Sequence, residues 1–138
     1  IAAGKGAVRL HRGQAESALV EMDKAMEIIA MQHGDDHYHT AGLREDRAYV
    51  LLELGRLQEA LADFDAADEY YLKTYGAENS DRLQNLQGKA AALAAMGEHD
   101  AAEQIIQDGL EILTETLGPD HPRSLQAAER LAALPRAN

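Results

Sequence analysis

The sequence holds no cysteine and no tryptophan, and aromatic residues fill only 4% of its 138 positions. Without thiols, disulfides, thiolate zinc sites and cysteine nucleophiles are excluded, which suits a reducing compartment. The three prolines, Pro119, Pro122 and Pro135, all fall late, so everything before them is open to uninterrupted helices. Basic residues are also scarce: 13 Lys and Arg face 24 Asp and Glu, for a formal net charge of −11. Phosphate recognition needs clustered positive charge, so nucleic acid is not an expected partner, and an anionic membrane surface is disfavoured on the same grounds. A basic or apolar polypeptide fits such a surface better. No apolar run approaches the ~20 residues that span a bilayer; the small-residue stretch from Ala90 to Met96 is far too short. No stretch has the make-up of a secretory signal. A cytoplasmic setting is therefore expected.

What the chain does have is alanine, leucine and regularly placed glycine. Apolar residues make up 46% of it, and their dominance by Ala and Leu favours helix-on-helix packing. Gly34, Gly76 and Gly118 fall 42 residues apart, and Gly13, Gly55 and Gly97 form a second series with the same interval. Two interleaved markers with one period predict a tandem array. The divisions expected are a partial first unit at 1–34, units at 35–76 and 77–118, and a terminal helix within 119–138. The chain opens on Ile1, already mid-pattern, as a piece of a longer protein would.

Within each unit the spacing predicts two helices. Residues 1–12 read as the end of a helix carrying Val8 and Leu10 and stopped by Gly13. Residues 15–32 show an apolar face of Ala18, Met22, Ala25 and Ile29, ended by Gly34 as a left-handed cap. The same face recurs 42 residues on as Ala60, Phe64, Ala67 and Tyr71, and again as Ala102, Ile106, Gly109 and Leu113. Between these lie first helices carrying Ala48, Leu51 and Leu52, then Leu83, Leu86, Ala90 and Leu93. Thr40, and Ser80 or Asp81, are the expected N-caps. Pro122 suits a helix start, and Pro135 a stop. One hairpin cannot bury its own apolar face, so neighbours are expected to stack.

The segment Gly55-Arg56-Leu57-Gln58-Glu59-Ala60, followed by Phe64 and Ala67, resembles the turn and second helix of a tetratricopeptide repeat. Gly97, Ala102 and Ile106 repeat it, as do Gly13, Ala18 and Ala25. The 42-residue period, with Leu117-Gly118-Pro119-Asp120-His121-Pro122 between units, is similar to the kinesin-light-chain-like subclass. The resemblance implies an all-α fold of antiparallel helix hairpins stacked into a right-handed superhelix. It also implies a scaffold that binds a protein or peptide along the concave face of the first helices, with no cofactor and no catalysis. Carried over by register, that face includes Ala7, Leu10, Glu45, Tyr49, Leu52, Gln84, Gln87, Ala91, Ala94 and Glu129. Family members that clamp a terminal carboxylate do so with Lys, Asn and Arg. Here Glu45, Tyr49, Gln87 and Ala91 hold those places, so the clamp is absent. The paired asparagines of kinesin light chains are replaced by Glu45-Asp46, Gln87-Gly88 and Glu129-Arg130. Self-association through the first or last helix is an alternative role. So is service as the regulatory region of a larger bacterial kinase or transcription regulator.

Residues that could carry chemistry are few. His33, Asp35, Asp36, His37 and His39 form one dense group of metal-capable side chains. However, Asp36 and His37 match Asp120 and His121 by register, which favours a structural loop. Asp63, Asp65, Asp68 and Glu69 read as a solvated helix face. Gly4-Lys5-Gly6 lacks the spacing of a phosphate loop. Ser17, Ser80 and Ser124 show no nucleophile signature. Tyr71 is expected in the core, and Tyr70 either as a contact residue or in packing between units.

Overall fold

The computed structural model describes residues 11–133. The expected helix before residue 13, with Ala7 and Leu10, falls outside the described residues, as do Leu134 and Pro135. Six helices follow one another: α1 (Arg12–His33), α2 (Tyr38–Glu53), α3 (Leu57–Tyr75), α4 (Ser80–Ala95), α5 (His99–Leu117) and α6 (Pro122–Ala133). Each packs on its neighbours in sequence, and α2 also touches α4 directly. Among the described residues the fold is all-α, with helix pairs packed consecutively, as the pattern of apolar residues predicts.

The turns explain the glycines. After α2, the Arg56 N–H donates to the Leu51 carbonyl (2.9 Å) and the Gly55 N–H to that of Leu52 (3.0 Å). This is the paired bonding of a Schellman motif, which needs positive φ at its glycine, here 75°. Gly97 repeats it after α4, with the Glu98 N–H on the Leu93 carbonyl at 2.8 Å. The other series differs from the expected left-handed cap. Gly34 has φ 79° and ψ −179°, a region open essentially to glycine alone. Its N–H still closes α1 on the Ala30 carbonyl at 2.9 Å. Gly13 stops nothing, because it sits in the first turn of α1.

The helix starts also depart from expectation. Thr40, Ser80 and Asp81 do not cap. Instead His37, Asn79 and His121, each 42 residues from the next, supply the acceptors. The His39 N–H donates to His37 Nδ1 (3.2 Å), the Arg82 N–H to Asn79 Oδ1 (3.0 Å), and the Arg123 N–H to His121 Nδ1 (3.1 Å). An imidazole nitrogen without its proton can do what an amide oxygen does here. Thr40 lies a turn deeper and is buried.

The core begins where Ala15, Leu19 and Met22 of α1 meet Ala48, Val50 and Leu51 of α2 and Ala60 and Phe64 of α3. A second cluster joins Ala90 and Leu93 of α4 to Ala102 and Ile106 of α5. Tyr71 is buried, as expected, against Ala41 and Ala67. Gly88 marks the tightest crossing. A Cβ there would run into the Phe64 ring and lie 2.8 Å from that of Tyr49.

The acids on α3 are not simply a solvated face. Asp63 is buried and takes two bonds from Arg47 of α2, at 2.7 and 2.8 Å. Arg47 also reaches Asp23 of α1 at 2.7 Å. One period on, Lys89 of α4 holds Asp65 at 2.7 Å, and Arg82 holds Asp68 at 2.8 Å. Among the described residues no helix is long and apolar enough to cross a membrane.

Candidate functional site

The residues carried by register onto the expected inner face lie on α2, α4 and α6, and they do not all sit alike. Leu10 lies outside the described residues. Glu45 is fully buried, because the Tyr71 hydroxyl of α3 donates to its Oε1 at 2.9 Å and draws it inward. It cannot offer that carboxylate to a ligand. Tyr49 is half-buried, meets Phe64 edge-on with centroids 5.1 Å apart, and donates its hydroxyl to the Gln84 carbonyl at 2.9 Å. Leu52 packs on the first core cluster and Ala94 on the second. Gln84 and Gln87 are half-buried, and Ala91 and Glu129 are exposed.

Both phenols are held in their donating form. Burial pushes the Tyr71 hydroxyl well above its usual range, with Glu45 adding to the effect. Burial raises Tyr49 too, and Glu45 raises it further, while Arg130 of α6 acts in the opposite sense.

Clefts open between the helices, and three of those among the described residues differ in charge. One, of about 460 Å³ between α1, α2 and α3, is lined by Glu16, Asp23, Glu59 and Asp63 together with Arg47 and Arg56. Each of those carboxylates sits on one of the two arginines, at 2.6 to 3.9 Å. A second, of about 200 Å³, lies beside the Lys73–Asp36 pair. The third, again about 460 Å³, is lined by Tyr38, His39, Gly42, Leu43 and Asp46 of α2, Ile29 of α1, Tyr71 and Tyr75 of α3, and Asp81 of α4. Among the described residues no Lys or Arg lines it. Its residues come from four helices, and of its three tyrosines only Tyr71 and Tyr75 lie near one another in the sequence.

In the histidine loop, His33 and His37 stack ring on ring with centroids 4.4 Å apart. Loss of hydration lowers the His37 pKa, and His33 and His39 lower it further. Among the described residues no group of three or more His, Asp or Glu is placed to hold a metal ion. Ser124 Oγ donates to the Gly118 carbonyl at 2.8 Å, a structural bond within the turn before α6.

Residues 40–115, more than half of the chain, match the family model of the tetratricopeptide repeat. The chain belongs to the tetratricopeptide repeat family. The fold of the nearly identical TPR-like repeats of a kinesin light chain-like protein from Podosopora anserina is similar, with a TM-score of 0.76 at 24% identity. A point-substituted variant of that protein gives a TM-score of 0.77 at the same identity. In each case the alignment covers 87% of this chain and 57% of the other, so this chain spans little more than half of those structures. At that identity the likeness speaks for the fold alone. No curated protein matches. Tetratricopeptide repeat domains are in general protein-interaction modules and typically non-catalytic.

Proposed function

We propose that this tetratricopeptide repeat domain binds an extended segment of a protein partner along the inner face of α2, α4 and α6. We read residues 35–76 and 77–118 as the two units that frame it. The observation that carries this is the make-up of α4. Ala91 is small and exposed, and Gln84, Gln87 and Ala94 share its side of the helix and are half-buried. Amides and small side chains can serve a peptide backbone without demanding one sequence. Leu52 and Tyr49 support the wall from the core side, so substituting either would disturb folding and binding together.

Ala91→Arg separates the two, because Ala91 is exposed. Unstructured peptides panned on the full chain from a displayed library should lose at least about tenfold in affinity on the A91R variant, with unchanged helicity. Panned peptides that hold A91R as tightly as the parent would sink the reading.

A second reading has its own observation. Ile28 and Met31 of α1 are 56% and 83% exposed, with Val20 also open on that helix. Such a face suits self-association through α1. Met31→Glu should then lower the mass measured by light scattering at high concentration, and an unchanged monomeric mass in the parent chain would dismiss it.

A further inference from the structure

We infer that a recess between α4, α5 and α6 receives the tip of an aliphatic side chain of the bound segment, so that the partner of this domain presents leucine, isoleucine or valine on an uncharged stretch. The inference rests on the inner-face reading above and names the residue class of its partner. Gln87 belongs to both, since it lines the recess and stands in the proposed groove.

The recess arises because the chain fills one junction between units and leaves the next short. α2 and α4 touch directly, and there the rings of Phe64 and Tyr49 close on Gly88. One period on, Phe64, Tyr49 and Ala67 become Ile106, Ala91 and Gly109, each of them smaller. Among the described residues α4 and α6 make no such close approach. A space of about 20 Å³ stays open, lined by Leu83 and Leu86 of α4, Ile106 and Leu113 of α5, and Ala127 of α6.

Gly109 completes that lining without a side chain. It shares one face with Ile106 and Leu113, three residues before it and four after. Its counterpart Ala67 is fully buried, whereas Gly109 is only half-buried. A helix interior favours alanine over glycine, and a Cβ here would meet nothing within 4 Å. Neither helix stability nor crowding calls for this glycine. What it leaves is room.

Size and lining set the occupant. About 20 Å³ takes one water-sized group, the bulk of a methyl branch and well short of a ring. An apolar recess of this kind stays dry, so its walls lack contacts that a methyl would restore. Charge narrows the choice further. Among the described residues that line the recess, Arg130 alone is charged, and it is exposed. A Lys or Arg of the segment is repelled there, and a segment rich in acids meets the net charge of −11. Gln87 and Arg130 can donate to the carbonyl groups of an uncharged stretch.

The test uses the full chain, the peptides panned on it from the displayed library, and titration calorimetry. The tightest peptides should carry Leu, Ile or Val at one position where Ser costs at least about tenfold in affinity. Gly109→Ala should weaken them about fivefold while raising the melting temperature. On G109A the Ser substitution should cost less than on the parent, because the new methyl already fills the recess. Gly13→Ala adds a methyl in the first turn of α1, which does not line the recess, and should leave affinity unchanged. Equal affinity of G109A and the parent, equal losses in G109A and G13A, or a G109A chain that loses affinity and melting temperature together would each overturn the inference. So would an aromatic or charged residue at the position coupled to Gly109. If panned peptides lose affinity on A91R yet ignore G109A, the inference falls and the inner-face reading stands. If they lose affinity on G109A but not on A91R, the recess stands and the inner-face reading falls. A library that yields no binding peptide sinks both.

Discussion

The pair α2–α3 and the pair α4–α5 are the same object in outline. Both first helices have 16 residues and both second helices 19, with the same glycines at the same turns. Inside, they differ. The first pair is locked by polar and aromatic contacts: Tyr71 on Glu45, Tyr49 against Phe64, and Arg47 on Asp63. One period later those places hold Leu113 and Gln87, Ala91 and Ile106, and Lys89 and Ile105. The second pair is thus more aliphatic, with a void of about 20 Å³ beside Ile106, Gly109 and Leu113. The turns and the small contact residues set the shape, and the remaining positions are free to carry chemistry.

The largest test of that difference is at the matched core positions. Phe64→Ala removes a fully buried ring and should cost about 4 kcal/mol, against about 3 kcal/mol for Ile106→Ala. Denaturant titration of the two variants measures both. Equal losses would mean the aromatic lock adds nothing. Next comes Glu45→Ala, which leaves the buried Tyr71 hydroxyl without its acceptor and should cost about 2 kcal/mol. Gln87→Ala, half-exposed, should change stability by no more than about 0.5 kcal/mol in the same titration. In the opposite direction, Gly109→Ala should stabilise by about 0.5–1 kcal/mol. Its Cβ would meet nothing within 4 Å, and the residue lies within α5. A lower melting temperature for G109A would show the second pair to be better packed than the void suggests.

The smallest expected effect separates the caps. His37 holds α2 as a neutral acceptor, and its pKa is lowered in the folded chain. The folded state therefore binds this proton less readily than the unfolded one. The stabilisation is present above the ordinary histidine value of 6.5 and is lost as pH falls through the lower folded value. Asn79 caps α4 without titrating. Amide exchange in the first turn of α2 should quicken between pH 7 and 5 relative to that of α4. Equal change in both would remove His37 as the cause.

Much of the fold was legible because its markers are local. Positive-φ glycines and a three-and-four apolar spacing can be read along one helix, and they located all the described helices to within a few residues. The caps were missed because histidine is not a residue one expects at a helix start. It serves at His37 and His121 because its ring nitrogen reaches the same N–H groups that Asn79 Oδ1 reaches. The pairing of Asp63 was not legible either. It depends on how close α2 comes to α3, which the sequence of α3 does not state. Glu45 was carried onto the open face by register alone, and one hydroxyl from Tyr71 moved it inside. The tyrosine cleft draws on residues from four helices, so no single stretch announced it.

Among the described residues, packing in which each helix leans chiefly on the one before and the one after leaves α1 and α6 without direct contact. Drawn out from its termini, such a molecule yields at its junctions first and behaves as a soft spring. A tethered partner would thus feel a compliant mount, able to follow small displacements before any hairpin opens.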